Sequence, residues 1–178
     1  MRRPRLLLAA TAALLAAAPL AAQSGARPTV TLPGYRGLVF LDTVGVVREF
    51  TAPAAAVTKA LEWAFTELGI NVQADEARGL VGNLQIQTQR RFARTPMSQL
   101  LDCGFRDRGP NADFYRIHLA LMGIVAAKGE KSTSLRIAFA AGAQDFSGPL
   151  GDPIACGSTG KLEERILGFV AKQLGQEP

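Results

Sequence analysis

The sequence predicts an α+β fold, a mostly antiparallel sheet with two main helices packed on one face. Three observations carry this. Residues 53–68 and 158–174 repeat apolar side chains at helical spacing. Residues 80–90 and 113–139 alternate with the period of a strand that is buried on one side. Lys128-Gly129-Glu130-Lys131 breaks the second alternating run in the middle, as an antiparallel hairpin requires.

The chain opens with Arg2, Arg3 and Arg5, an apolar run over residues 6–18, then Pro19-Leu20-Ala21-Ala22 before Gln23. A basic start, a short apolar core and small residues at the cut predict a secretory signal peptide over residues 1–22. Ala22 is the preferred last residue and Ala26 the second choice. The run is shorter than the ~20 residues of a membrane-spanning helix. Arg2-Arg3 lacks the surrounding twin-arginine motif, and no cysteine follows the small residues to carry a lipid. The expected location is therefore periplasmic or secreted from a bacterium, with no transmembrane segment after cleavage.

Cleavage changes the charge. The whole chain carries 20 Lys+Arg and 15 Asp+Glu, net +5, but three of the arginines leave with the leader. The mature chain keeps 17 basic against 15 acidic residues, net +2. Its global charge does not point to nucleic acid.

Residues 23–37 are punctuated by Gly and Pro and are expected to form a flexible N-terminal segment, with a short strand possible at residues 29–32. A single domain over residues 38–175 follows. Short strands are expected at residues 38–41 and 44–50 around an Asp42-Thr43 turn. Pro53 opens the first helix. Its stripe is Val57, Leu61, Ala64, Phe65 and Leu68, and Gly69 is its stop. Trp63 lies off that stripe. A strand at residues 70–74 and a turn at residues 75–79 lead into residues 80–90, where Leu84, Ile86 and Thr88 alternate with glutamines. A short helix at residues 95–101 is expected with Thr95 as N-cap. The longest strand spans residues 113–127, with Tyr115, Ile117, Leu119, Leu121 and Val125 inward and Arg116, His118, Ala120 and Met122 outward. Thr133, Leu135, Ile137 and Phe139 continue inward on its hairpin partner. Residues 142–157 read as an irregular loop. Ser158 or Thr159 is expected to cap the last helix, whose stripe is Leu162, Ile166, Phe169, Val170 and Leu174. The outward sheet face, rich in Gln, Arg, His and Ala, is expected to be solvated or to bind a partner.

Two cysteines remain after export, Cys103 and Cys156. An even pair in an oxidising compartment predicts a disulfide. CxxC spacing is absent and His118 is the only histidine, so a zinc site is not expected. His118 also lacks a nucleophile elbow among the serines. The run Cys156-Gly157-Ser158-Thr159-Gly160-Lys161 departs from a phosphate loop at Ala155 and Leu162, so a tethered helix entry is expected. The densest basic stretch holds Arg90, Arg91 and Arg94 around Phe92, with Arg106 and Arg108 expected nearby through the short helix. It suits an anionic surface or an acidic envelope partner.

Ala56-Val57-Thr58-Lys59-Ala60-Leu61, then Leu68-Gly69-Ile70-Asn71-Val72, Asp75 and Gly79-Leu80-Val81-Gly82, resembles the BamC-type envelope lipoprotein domain over about 30 residues. The resemblance implies a helix-grip-like α+β fold and a non-catalytic role in envelope assembly; it supplies no catalytic residues. The expected function is a non-catalytic exported binding or accessory module with no cofactor. The alternatives are a carrier holding a small apolar ligand between helix and sheet, or an enzyme of unrecognised type.

Overall fold

The computed structural model describes residues 27–145 and 152–177. The expected leader lies outside them. The main elements are β1 (Val46–Phe50), α1 (Ala54–Glu67), β2 (Gln73–Asp75), β3 (Leu80–Thr88), α2 (Met97–Leu100), β4 (Leu101–Asp102), β5 (Arg116–Gly129), β6 (Ser132–Gln144), β7 (Ile154–Ser158) and α3 (Lys161–Gln173). The seven strands form one antiparallel sheet, and β5 and β6 make its central hairpin. On one side β5 pairs with β3, which pairs with the short β2. On the other, β6 pairs with β1 through Thr133–Ile137 and with β7 through Ala141–Ala143. β4 then closes on β7.

Both long helices pack on one face of the sheet. Val57, Leu61, Ala64 and Phe65 of α1 and Leu162, Ile166 and Val170 of α3 share one cluster with Ile117, Leu119, Leu121, Leu135, Ile137 and Phe139. Burying each large side chain contributes roughly 1.5–3 kcal/mol. α1 stops as expected. Gly69 takes φ +68°, its N–H reaches the Thr66 carbonyl and the Ile70 N–H reaches Phe65, so two last-turn carbonyls are satisfied. Gly123 of β5 lies directly beneath Leu61, which leaves no room there for a side chain.

The opposite face is where expectation and structure diverge. Residues 28–41 do not hang loose, and that face is not simply solvated. Thr29–Val30 pairs with Val39–Phe40, and Leu32, Val39 and Leu41 bury a second cluster against Leu80, Ala120, Met122, Ala138 and Ala140. A side chain at Gly142 would collide with the Pro33 carbonyl, so this strap lies directly on β6. Asp42-Thr43 belongs to a 3₁₀ turn, Leu41–Thr43, and the strands flanking it pair elsewhere rather than with each other.

Four further corrections have local causes. In β3 one extra residue is inserted opposite β5, between Asn83 and Ile86. This bulge sends Leu84 to the strap side and Ile86 to the helix side, although their sequence spacing suggested one face. The Asn83 side chain stitches the bulge by accepting from the Gln85 N–H. Thr95 does not cap α2. The Asp113 carboxylate accepts from the Ser98 N–H at 2.9 Å, a cap supplied from another segment. Thr159 instead donates to the Gln99 carbonyl, and Gly160 is the α3 N-cap. Finally, the expected loop of residues 142–157 is in part sheet: β6 runs on to Gln144, and residues 154–158 form β7.

Candidate functional site

Chain segments converge at the end of the sheet where β3 stops and β5 starts. Thr88 lies opposite Ile117, and Arg116 opposite Gln144. Two small hairpins project from this end.

The first pairs Arg91–Phe92 with Thr95–Pro96 around Ala93-Arg94. Ala93 and Arg94 have φ +46° and +64°, and Arg90, just before the hairpin, has φ +67°. Two-residue hairpins favour positive φ at both central positions, which is why Asn-Gly is preferred there. Each non-glycine residue so placed costs roughly 1–2 kcal/mol. Surrounding contacts hold the strained turn. Thr88 Oγ1 donates to the Arg91 carbonyl at 2.7 Å, and the Met97 N–H to the Arg90 carbonyl at 2.8 Å. Arg165, on α3, donates through Nη1 to the Ala93 carbonyl at 3.0 Å and to Thr95 Oγ1 at 3.1 Å. Phe92 and Ala93 pack on the main core, so the arginines turn outward. All three are exposed, and none of their guanidinium groups makes an ion pair or hydrogen bond among the described residues.

The second hairpin pairs Phe105–Arg106 with Gly109–Pro110. Cys103, at its base, stands at disulfide-bonding distance from Cys156 of β7, with Cα atoms 4.3 Å apart. The buried Asn111 side chain donates to the Cys103 carbonyl at 3.0 Å. Arg106 pairs with Asp145 at 3.2 Å and lies over the Tyr115 ring. A cleft of about 630 Å³ opens between Arg106, Arg108, Phe114, Tyr115 and Asp145. Burial pushes the Tyr115 phenol above its ordinary range, with Arg106 opposing the rise and Asp145 adding to it, and the hydroxyl itself is buried. The Gln89 side chain, just before the first hairpin, donates at 3.3 Å to the carbonyl of Phe114, just past the second. Arg106 and Arg108 thus stand on the second hairpin, at the same end of the sheet as Arg90, Arg91 and Arg94.

Sequence reasoning missed the aromatic residues around this end. Phe105 is 74% exposed and Phe114 50%. The signal for Phe105 was present, an aromatic beside two arginines within Gly104-Phe105-Arg106-Asp107-Arg108-Gly109. On the α3 side, Arg165 stacks over Phe169, and Phe169 meets Trp63 edge-on with ring centroids 5.9 Å apart. Trp63 left the α1 stripe in order to make this second contact.

The remaining candidates fall elsewhere. His118 lies on the outward face, as expected, but the strap at Thr31 and Pro33 adjoins it rather than open solvent. Its Nε2 is buried without a partner among the described residues, and burial, then Arg116, lowers its pKa. In the run Cys156–Lys161, Ser158 accepts from the Gly160 N–H and donates to Glu163 at 2.6 Å, serving the helix entry. Glu163 is 1% exposed, and burial raises its pKa. Among the described residues no three His, Cys, Asp or Glu side chains gather as a metal site would require, and no helix is long and apolar enough to cross a membrane.

No family model, curated protein or solved structure matches this chain.

Proposed function

We propose that the protein is a non-catalytic binding module of the bacterial envelope, exported to the periplasm or beyond, which engages an anionic partner through its Arg90-Arg91-Arg94 hairpin. The observation that carries this reading is the hairpin itself. Three arginines without partners among the described residues sit on a strained turn that α3 braces from behind. Strain maintained by surrounding structure is a recurrent mark of functional segments. The leader-like residues 1–22, the Cys103–Cys156 pairing and the resemblance to the BamC-type domain support export and an envelope role. The apolar carrier reading needs space between helices and sheet. There Val57, Leu61, Phe65, Ile137, Ile166 and Val170 are fully buried against one another, which favours the binding module.

The test is co-sedimentation of the mature protein with native envelope fractions at low and high salt. Association that falls with salt and is lost in Arg90→Gln/Arg91→Gln/Arg94→Gln, with the melting temperature unchanged, is the expected outcome. Binding unaffected by that triple change would refute the reading.

A further inference from the structure

Resting on that reading, we propose that the anionic partner is the headgroup layer of a phospholipid bilayer, met by the arginine hairpin together with the outward face of α3. Arg165 joins these two surfaces through its hydrogen bond to the Ala93 carbonyl. Beyond it α3 presents a shallow groove of about 490 Å³ lined by Arg165, Gly168, Phe169, Lys172 and Gln176. Trp63 packs against the Phe169 edge of that groove.

The chemistry of this surface is specific. Every charged residue lining the groove is basic, and the neighbouring hairpin adds Arg90, Arg91 and Arg94. No acidic residue occurs among residues 79–101, which include the hairpin. The one aromatic ring lining the groove, by contrast, is Phe169. Cations around a half-buried Trp–Phe pair match a membrane interface, where guanidinium and ammonium groups meet phosphates and aromatic rings settle at headgroup depth. A single phosphate would be held by converging donors in a pocket. Here the cations are spread over two elements, Arg90, Arg91 and Arg94 at the hairpin and Arg165 and Lys172 on α3, as contact with an array of phosphates requires. An acidic protein could meet the arginines but would leave the aromatic ring without a counterpart. The bilayer satisfies both halves.

Trp63 is the only tryptophan in the chain, so its fluorescence reports on this surface alone. The mature protein should sediment with vesicles of phosphatidylglycerol and phosphatidylcholine but not with phosphatidylcholine alone, and binding should weaken as salt rises. Trp63 emission should shift to the blue on binding. Arg90→Gln/Arg91→Gln/Arg94→Gln should weaken vesicle binding by about a hundredfold and Lys172→Gln by about fivefold, taking each neutralised cation as worth about fivefold. Inorganic phosphate at matched ionic strength should not compete. Equal binding to neutral vesicles, or binding that leaves Trp63 emission unmoved, would overturn the proposal. So would loss of vesicle binding on addition of phosphate alone. If the triple variant loses native envelope association while the unmodified protein ignores anionic vesicles, the lipid is refuted and an acidic protein takes its place; the binding-module reading then survives.

Discussion

The two hairpins at the end of the sheet are built alike and held differently. The Phe105–Pro110 hairpin is braced covalently at Cys103 and needs no strained non-glycine residue, since glycines occupy its positive-φ positions at Gly104 and Gly109. The Arg91–Pro96 hairpin has no covalent brace, places Ala93 and Arg94 in the left-handed region, and depends on Arg165 of α3. A loop that must be precise can be fixed by a bond or by contacts that outweigh its own strain. The second solution joins the arginine turn to a helix face, so the two form one continuous surface.

Breaking each brace sharpens the contrast. Cys103→Ser has the largest expected effect. A cross-link between residues 53 positions apart stabilises by about 4 kcal/mol in the chain-entropy model. The melting temperature should drop steeply, and the unmodified oxidised protein should show no alkylatable thiol. Two reactive thiols in native material would remove the disulfide. Arg165→Met comes next. It removes a charged donor to a backbone carbonyl, worth about 1.5–3 kcal/mol. Proteolytic cleavage should then appear between residues 90 and 95 while the Phe105–Pro110 hairpin stays intact; simultaneous cleavage of both would show that they are not independently braced. Arg94→Gly should act in the opposite direction, raising stability by about 1 kcal/mol as the left-handed strain is relieved. A denaturation midpoint that falls would mean that the Arg94 side chain contributes more than its backbone costs.

The smallest effect is read as a slope. Glu163 lies where β7 hands over to α3, at the root of both braces. Burial holds its pKa above the ordinary value of 4.5. Between these values the folded chain keeps a proton that the unfolded chain has lost, so stability falls as pH rises through that window. His118 acts in the opposite sense. Its lowered pKa makes the folded state lose stability as pH falls below about 6.5. The difference between Glu163→Gln and the unmodified protein therefore isolates the glutamate. Urea midpoints from pH 4 to 7 should decline less in the variant. Identical slopes would contradict the raised pKa.

What could be read in the sequence follows from how local its causes are. α1, α3 and the β5–β6 hairpin were legible because one periodic stripe specifies each of them. The short strands Thr29–Val30 and Val39–Phe40 fall within expected ones, but their packing on the sheet was not legible, because Leu32, Val39 and Leu41 follow no period and their partners lie about 40 to 110 positions away. The β3 bulge was hidden because alternation in sequence continues through it while the faces exchange. The α2 cap was missed because its acceptor, Asp113, lies on a different segment. At the site, Arg90, Arg91 and Arg94 stood out as a charge run. Their setting did not: Ala93-Arg94 carries no Asn-Gly signal, and the Trp63–Phe169 pair forms only once two helices are side by side.

β1 has a further consequence, in the order of assembly. Its partner is Thr133–Ile137, more than 80 positions later in the chain. The strap likewise waits for Ala138, Ala140 and Gly142. A chain emerging from its N-terminus therefore cannot close the sheet until the β5–β6 hairpin arrives, and such distant pairing is slow. Until then its early apolar strands lack their sheet partners, which leaves the unfinished polypeptide dependent on protection from aggregation.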